Sequence, residues 1–209
     1  ACTDGMAPMG ALVQDGSGNL YGTTYGGGQG GGGTVFKLAL EQATGRWTHS
    51  VLHSFCMAPA CTDGTGPMTS LTLDKGGNVY GTTRGGGSAG GGGTVFRLVP
   101  DAGGNAWSHQ ALLSFCDACG AGSTPESPIV LGDDGKLYGS TVGGGIDFSQ
   151  ERWGPERCEG CLVRFYNELG EPFINLFALE AYNDAAERLT LASLTPQALF
   201  FGGTLFSLT

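Results

Sequence analysis

Residues 77–98 read GNVYGTTRGGGSAGGGGTVFRL. Seven of the nine positions 85–93 are glycine, and the chain then returns to valine, phenylalanine and leucine. A disordered linker, a phosphate-cradling loop and an ordered loop between strands all admit such a run, and the choice among them decides the fold. The phosphate reading fails at the residues directly after the run. A phosphate loop ends at a helix N-terminus, whereas TVFRL has the β-branched and aromatic character of a strand, and no Gly-Lys-Ser/Thr ending is present. The linker reading fails because the run recurs at fixed spacing with the same flanks.

The recurrence extends well beyond the glycines. CTDGMAPMGALVQDGSGNLYGTTYGGG, from Cys2, matches CTDGTGPMTSLTLDKGGNVYGTTRGGG, from Cys61. GGGGTVFKL matches GGGGTVFRL, and RWTHSVLHSFC matches AWSHQALLSFC. Tyr21 and Tyr80 stand 59 residues apart, and Trp47 and Trp107 stand 60 apart. A third, weaker copy is SPIVLGDDGKLYGSTVGGG, with Tyr138 in the tyrosine position, followed by CLVRFYNELGEPFINLFAL where the third and fourth strands belong. A partial fourth copy is RLTLASLTPQALFFGGTLFSLT, with Phe201 replacing the tyrosine.

Each repeat parses into four short runs rich in Val, Leu, Phe, Tyr and Thr; in the second these are residues 70–74, 78–83, 94–99 and 108–115. Asp- and Gly-rich turns of the DGSGN and DKGGN kind separate them. The one helix-like patch is ALEAYNDAAER, ending at Arg188. Four antiparallel strands recurring about every 60 residues are the pattern of propeller blades, which bury their faces only by stacking on neighbours. The expected fold is therefore all-β: a β-propeller-like array of four-stranded antiparallel blades, with about 3.5–4 repeats of ~60 residues. A β-sandwich or β-solenoid is the competing fold. The array forms a single repeat domain over residues 1–209, with repeats at 2–60, 61–120 and 121–180 and a partial one at 181–209. The last could close a four-bladed ring with help from the N-terminal segment, or the chain could be part of a longer ring.

The pattern D-x-x-G-N-[LV]-Y-G-T-T-x-G-G-G, then G-T-V-F-[KR]-L, then [LH]-x-S-F, resembles the tandem repeat of the choice-of-anchor GloVer-containing proteins of bacteria. The match covers residues 1 to about 118 well and 122–180 loosely. The resemblance implies an exported surface or secreted protein and carries over no catalytic residues.

Composition narrows the function. The net charge of −9, with only ten basic residues, argues against nucleic acid or an anionic membrane as a partner. No apolar run reaches the roughly 20 residues of a membrane-spanning helix. Seven cysteines among Gly and Pro, with few lysines, point to an oxidising, extracytoplasmic location, secreted or at the cell surface.

Strand 2–3 loops and blade-to-blade loops share one end of a propeller. The glycine runs, the CTDG segments and all of Cys2, Cys56, Cys61, Cys116, Cys119, Cys158 and Cys161 are expected on that end. Loops on a rigid scaffold carry binding residues, so Tyr25, Arg84, Asp4, Asp63 and Trp153 are the candidate contacts. Trp153 lies in IDFSQERWGPERCEGC, which replaces the glycine run of the third repeat. Each of these is equally well read as an ordinary exposed loop residue.

The cysteines admit two readings. Cys56-x4-Cys61, Cys116-x2-Cys119 and Cys158-x2-Cys161 are candidate disulfides. The last two pairs also have zinc-ribbon-like spacing, four thiolates that could surround a metal about 2.3 Å from each sulfur. The oxidising location favours disulfides, so no cofactor is expected. Cys2 occupies the position of Cys61 without a preceding repeat to supply its partner, and is read as unpaired or intermolecular.

His49 and His109 are repeat-equivalent and are read as structural; His53, replaced by Leu113 in the next repeat, belongs on a partly apolar face. Trp47 and Trp107 are read as blade packing. No Ser-His-Asp or Cys-His constellation assembles. The expected function is a non-catalytic binding or scaffold module, its partner a protein or polysaccharide at the cell surface, with self-association possible. The alternatives are a structural subunit of a larger complex or filament, and a carbohydrate-active enzyme using loop-face carboxylates.

Overall fold

The computed structural model describes residues 2–116, 122–133, 135–143, 163–166 and 172–180. These residues form three antiparallel sheets, one per repeat. The first contains β1 (Met6–Pro8), β2 (Val13–Gln14), β3 (Leu20–Gly26), β4 (Thr34–Glu41) and β5 (Arg46–Ser54). The second contains β6 (Thr72–Leu73), β7 (Val79–Thr83), β8 (Thr94–Pro100) and β9 (Trp107–Ser114). The third contains β10 (Val130–Leu131), β11 (Lys136–Thr141), β12 (Val163–Tyr166) and β13 (Pro172–Glu180). Between the first two sheets runs a short 3-10 turn, Pro59–Cys61. The helix-like patch ending at Arg188 falls outside the described residues, apart from Ala178–Glu180, which finish β13.

The turns explain why the strands pair as they do. In DGSGN, Asp15 bends back on its own turn: Oδ1 accepts from the Ser17 and Asn19 amides at 2.9 Å each, and Oδ2 from Asn19 Nδ2 at 2.8 Å and the Tyr21 hydroxyl at 3.0 Å. Asp74 repeats the clasp with Asn78 and Tyr80. One carboxylate thus closes the β2–β3 or β6–β7 turn and satisfies the hydroxyl of a buried tyrosine, which fixes register as well as direction. Burial and the facing carboxylate raise both tyrosine pKa values above the ordinary range.

The middle sheet is buried on both faces. Val79, Phe96 and Leu98 pack back against Tyr21, Val35 and Phe55 of the first sheet, joined by Leu71. Tyr80, Val95 and Phe115 pack forward against Ile129 and Leu137 of the third. Neighbouring residues of one strand point to opposite faces, so Val79 and Tyr80, or Val95 and Phe96, serve different interfaces. The two interfaces use matching positions: Tyr21, Val35 and Phe55 in one are Tyr80, Val95 and Phe115 in the next.

A glycine in each second strand makes room for the ring opposite. Gly22 pairs with Phe36, and Gly81 with Phe96. A Cβ on either glycine would lie 2.6 Å from the phenylalanine Cζ.

The third sheet departs from the expected strand order. Its order is β10-β11-β13-β12, so the later segment takes the third position and the earlier one the outer edge. The pairing shows why. Phe177 falls opposite Gly139, as Phe36 falls opposite Gly22 and Phe96 opposite Gly81. Leu176-Phe177-Ala178-Leu179 is thus the counterpart of Val-Phe-Lys-Leu, and Val163–Tyr166 is threaded in before it.

Candidate functional site: the glycine-loop end

At one end of the sheets the glycine runs and the CTDG turns are bound together. Gly28 donates its amide to the Cys2 carbonyl at 2.9 Å, and Gly87 to the Cys61 carbonyl at 3.0 Å. Each run closes on itself, Gly33 to Gly27 at 2.9 Å and Gly93 to Gly86 at 3.0 Å. At the base of each loop two buried threonines meet, Thr24 with Thr34 at 2.9 Å and Thr83 with Thr94 at 2.8 Å. Thr24 and Thr83 donate to the Gly26 and Gly85 carbonyls, so Thr34 and Thr94 must donate in turn. The loops are ordered, packed structure.

Glycine is required where the run re-enters the sheet. Gly33 and Gly93 have φ of 95° and 103°. A Cβ there would sit 2.3 Å from the Thr24 or Thr83 carbonyl oxygen and 2.7 Å from Pro67 or Pro125 of the following repeat. The repeats are also tied together through their backbones. Gly66 donates to Gly32 O at 2.7 Å and Thr124 to Gly92 O at 2.6 Å, while Cys56 donates to Gly64 O at 3.1 Å and Cys116 to Gly122 O at 2.9 Å.

Cys56 and Cys61 form a disulfide that closes the loop between the first two repeats. Asp63 serves that loop: its carboxylate accepts from the Met57 amide at 3.1 Å and the Ala58 amide at 3.3 Å. It also lies 3.6 Å from His53 Nε2. Cys2 is exposed and unpaired, and Cys116 is half-buried beside the second glycine run. Cys119, Cys158, Cys161 and Trp153 lie outside the described residues, so of the four zinc-spaced cysteines only Cys116 is described.

The other candidates separate by surroundings. Tyr25 is exposed and lies over Gly66, whose absent Cβ would stand 3.0 Å from the ring. Arg84, its counterpart one repeat on, reaches across to Glu126 with Nε–Oε1 at 3.0 Å. Both therefore lean over the junction with the following repeat. Asp4 is exposed.

A histidine pair went unread in the sequence. His53 and His109 stack with ring centroids 4.3 Å apart and planes 9° from parallel, edge-on to Phe55. The partners belong to different repeats, so repeat equivalence, which links His109 to His49, gave no signal. Burial pushes the pKa of both down, that of His109 to about 4 with help from the neighbouring His53, while Asp63 pulls the other way. Both rings are therefore neutral packing groups near pH 7. His49 is exposed and tilts against Phe36. The paired reading of the tryptophans also divides: Trp107 packs edge-on to Tyr21 at 6.2 Å, whereas Trp47 is exposed.

Among the described residues no three or more His, Cys, Asp or Glu side chains gather to hold a metal, and no helix is long and apolar enough to cross a membrane. A search of curated proteins finds no match. The family model described as the Gloeobacter/Verrucomicrobia repeat matches residues 1–150, the stretch that holds the two strong copies and the start of the third. The chain belongs to the Gloeobacter/Verrucomicrobia repeat family.

Proposed function

We propose that the chain is an exported, non-catalytic binding module whose sheets are blades of a β-propeller and whose glycine-loop end contacts a protein or polysaccharide at the cell surface. The observation that carries this reading is a contrast at that end. The backbone is fixed by the glycine–CTDG bonds, the threonine pairs and the Cys56–Cys61 bridge, while Tyr25, Arg84 and Asp4 are exposed. A rigid frame presenting variable side chains loses little entropy on binding. Support for the blade reading comes from two successive sheet junctions that use matching residues, as radial stacking requires. The disulfide favours an oxidising location.

Two of the described loop-end carboxylates are already engaged within the fold, which supports binding over catalysis. Asp63 is spent on its own loop amides, and Glu126 faces Arg84. Binding of the labelled chain to cell-envelope preparations tests the reading, with protease or periodate pretreatment identifying the partner class. Saturable binding is expected, weakened about tenfold by Tyr25→Ala with Arg84→Ala, the scale of an interface hot spot. Release of reducing sugar from envelope polysaccharide would instead favour the carbohydrate-active alternative and sink this one.

A further inference from the structure

The geometry points to a second, separate surface: the back of the first sheet is a docking face for a further repeat of this same kind, entering directly ahead of Cys2 and ending in Ser-Phe-Cys. Equivalent positions differ in surroundings from repeat to repeat. Leu71 is 3% exposed and Ile129 is 2% exposed, each held by the repeat before it; Leu12, in the same position of the first repeat, is 49% exposed. Pro67 and Pro125 are buried against the preceding glycine run, whereas Pro8 is exposed. Trp107 and His109 pack on the first sheet, whereas their counterparts Trp47 and His49 are exposed.

The backbone of this open face is already set for a neighbour. Gly66 and Thr124 hold left-handed φ values of 67° and 56°, and from that conformation each donates its amide to a glycine carbonyl of the preceding repeat. Ala7 holds the same conformation, with φ 58°. An alanine or threonine is driven there at a cost, so the first repeat carries the strain of the junction in the matching place.

Cys2 identifies the occupant. Its turn is built like that of Cys61, with the Gly28–Cys2 bond matching Gly87–Cys61. Cys61 is bridged to the cysteine that ends the preceding repeat, at a sequence separation of only 5. A Ser-Phe-Cys ending on the polypeptide just ahead of Cys2 would reach it the same way. Forming that bridge oxidises two thiols and needs a disulfide-exchanging oxidant, as an extracytoplasmic folding environment holds.

The test compares the 209-residue chain with one in which residues 2–60 are repeated directly ahead of Cys2. In the extended chain the original Cys2 is expected in a disulfide with the added copy of Cys56. Alkylation of Cys2 and oxidation of Trp47 by N-bromosuccinimide should both fall by at least about tenfold, because covered groups react only through local opening. Changing the added copy of Cys56 to serine should free the original Cys2 but leave Trp47 protected. Three results would each overturn the proposal. One is equal reactivity of Cys2 and Trp47 in the two chains. Another is protection of both already in the 209-residue chain, whose mass in solution would then show a second copy or the chain's own remainder on the face. The third is an extended chain that fails to form its own Cys56–Cys61 bridge, since a fitting repeat adds a junction without breaking one.

Discussion

Gly81→Ala and Gly22→Ala place the same methyl against the same ring, yet they should differ in cost. At Gly81 the new Cβ would lie 2.6 Å from Phe96 Cζ and 2.9 Å from Leu71 Cδ2. Both neighbours are held between two sheets, Phe96 fully buried and Leu71 nearly so. At Gly22 the corresponding distances are 2.6 Å to Phe36 Cζ and 2.7 Å to Leu12 Cδ2, but Leu12 faces open space and Phe36 lies beneath it. Overpacking a closed core costs about 1–3 kcal/mol, and a Gly→Ala exchange returns about 0.5–1 kcal/mol of unfolded-state entropy. Gly81→Ala should therefore destabilise by about 1–2 kcal/mol net, and Gly22→Ala by well under about 1 kcal/mol. In urea, with a slope of about 2 kcal/mol/M, the midpoint of the first should fall by about 0.5–1 M while the slope stays constant. Equal losses at the two sites would refute the reasoning, because they would mean that Leu12 is as confined as Leu71. A neutral Gly81→Ala would refute the account of why a glycine stands opposite each phenylalanine.

Two further outcomes concern the loop end and the histidines. Replacing Cys56 and Cys61 together with serine removes a bridge with a sequence separation of 5, which chain-entropy reasoning values at about 2 kcal/mol; urea titration with and without reductant measures it, and an unchanged midpoint would show that the Asp63 hydrogen bonds hold the loop unaided. For the histidines, burial favours the neutral ring, so the folded state binds protons less readily than the unfolded chain, and stability present above pH 6.5 drains as the pH falls toward about 4. His109 alone accounts for about 1–3 kcal/mol of that loss, and His109→Gln should flatten the slope over that window relative to the parent; parallel slopes would place the pair in contact with water.

The strands were legible because two independent signals agreed, a repeat of about 60 residues and Asp-Gly turns at the same offsets. Residues 94–99 and 108–115 lie within one or two residues of β8 and β9. What escaped was whatever depends on which repeat touches which. His53 and His109 sit on different sheets, so no spacing joins them. Trp47 and Trp107 are equivalent in sequence context, and only the presence of a preceding sheet makes one packed and the other exposed. The exchange of β12 and β13 escaped for another reason: both segments have strand-like composition, and local composition cannot say which is the central strand. The deciding feature was a register partner, Phe177 opposite Gly139, and that appears only once the strands are paired.

The glycine run is where these two kinds of information meet. Gly33 and Gly93 are fixed by backbone and proline atoms that close to within 3 Å of a missing Cβ, and part of that contact comes from the next repeat. The pairs that build each repeat from within are held alike in the two strong copies: the threonine pairs, the Gly-Phe pairs, the tyrosine over its aspartate. Tyr25, Arg84 and Val142 occupy one further equivalent position and share neither size nor charge. Tyr25 leans on Gly66 and Arg84 on Glu126, each across a junction yet exposed to solvent. An exposed ion pair of that kind contributes little to stability, so packing leaves this position nearly unconstrained. A rigid repeat can change such a residue without disturbing its fold, and that freedom makes the rim between repeats the place where copies of one scaffold would acquire different partners.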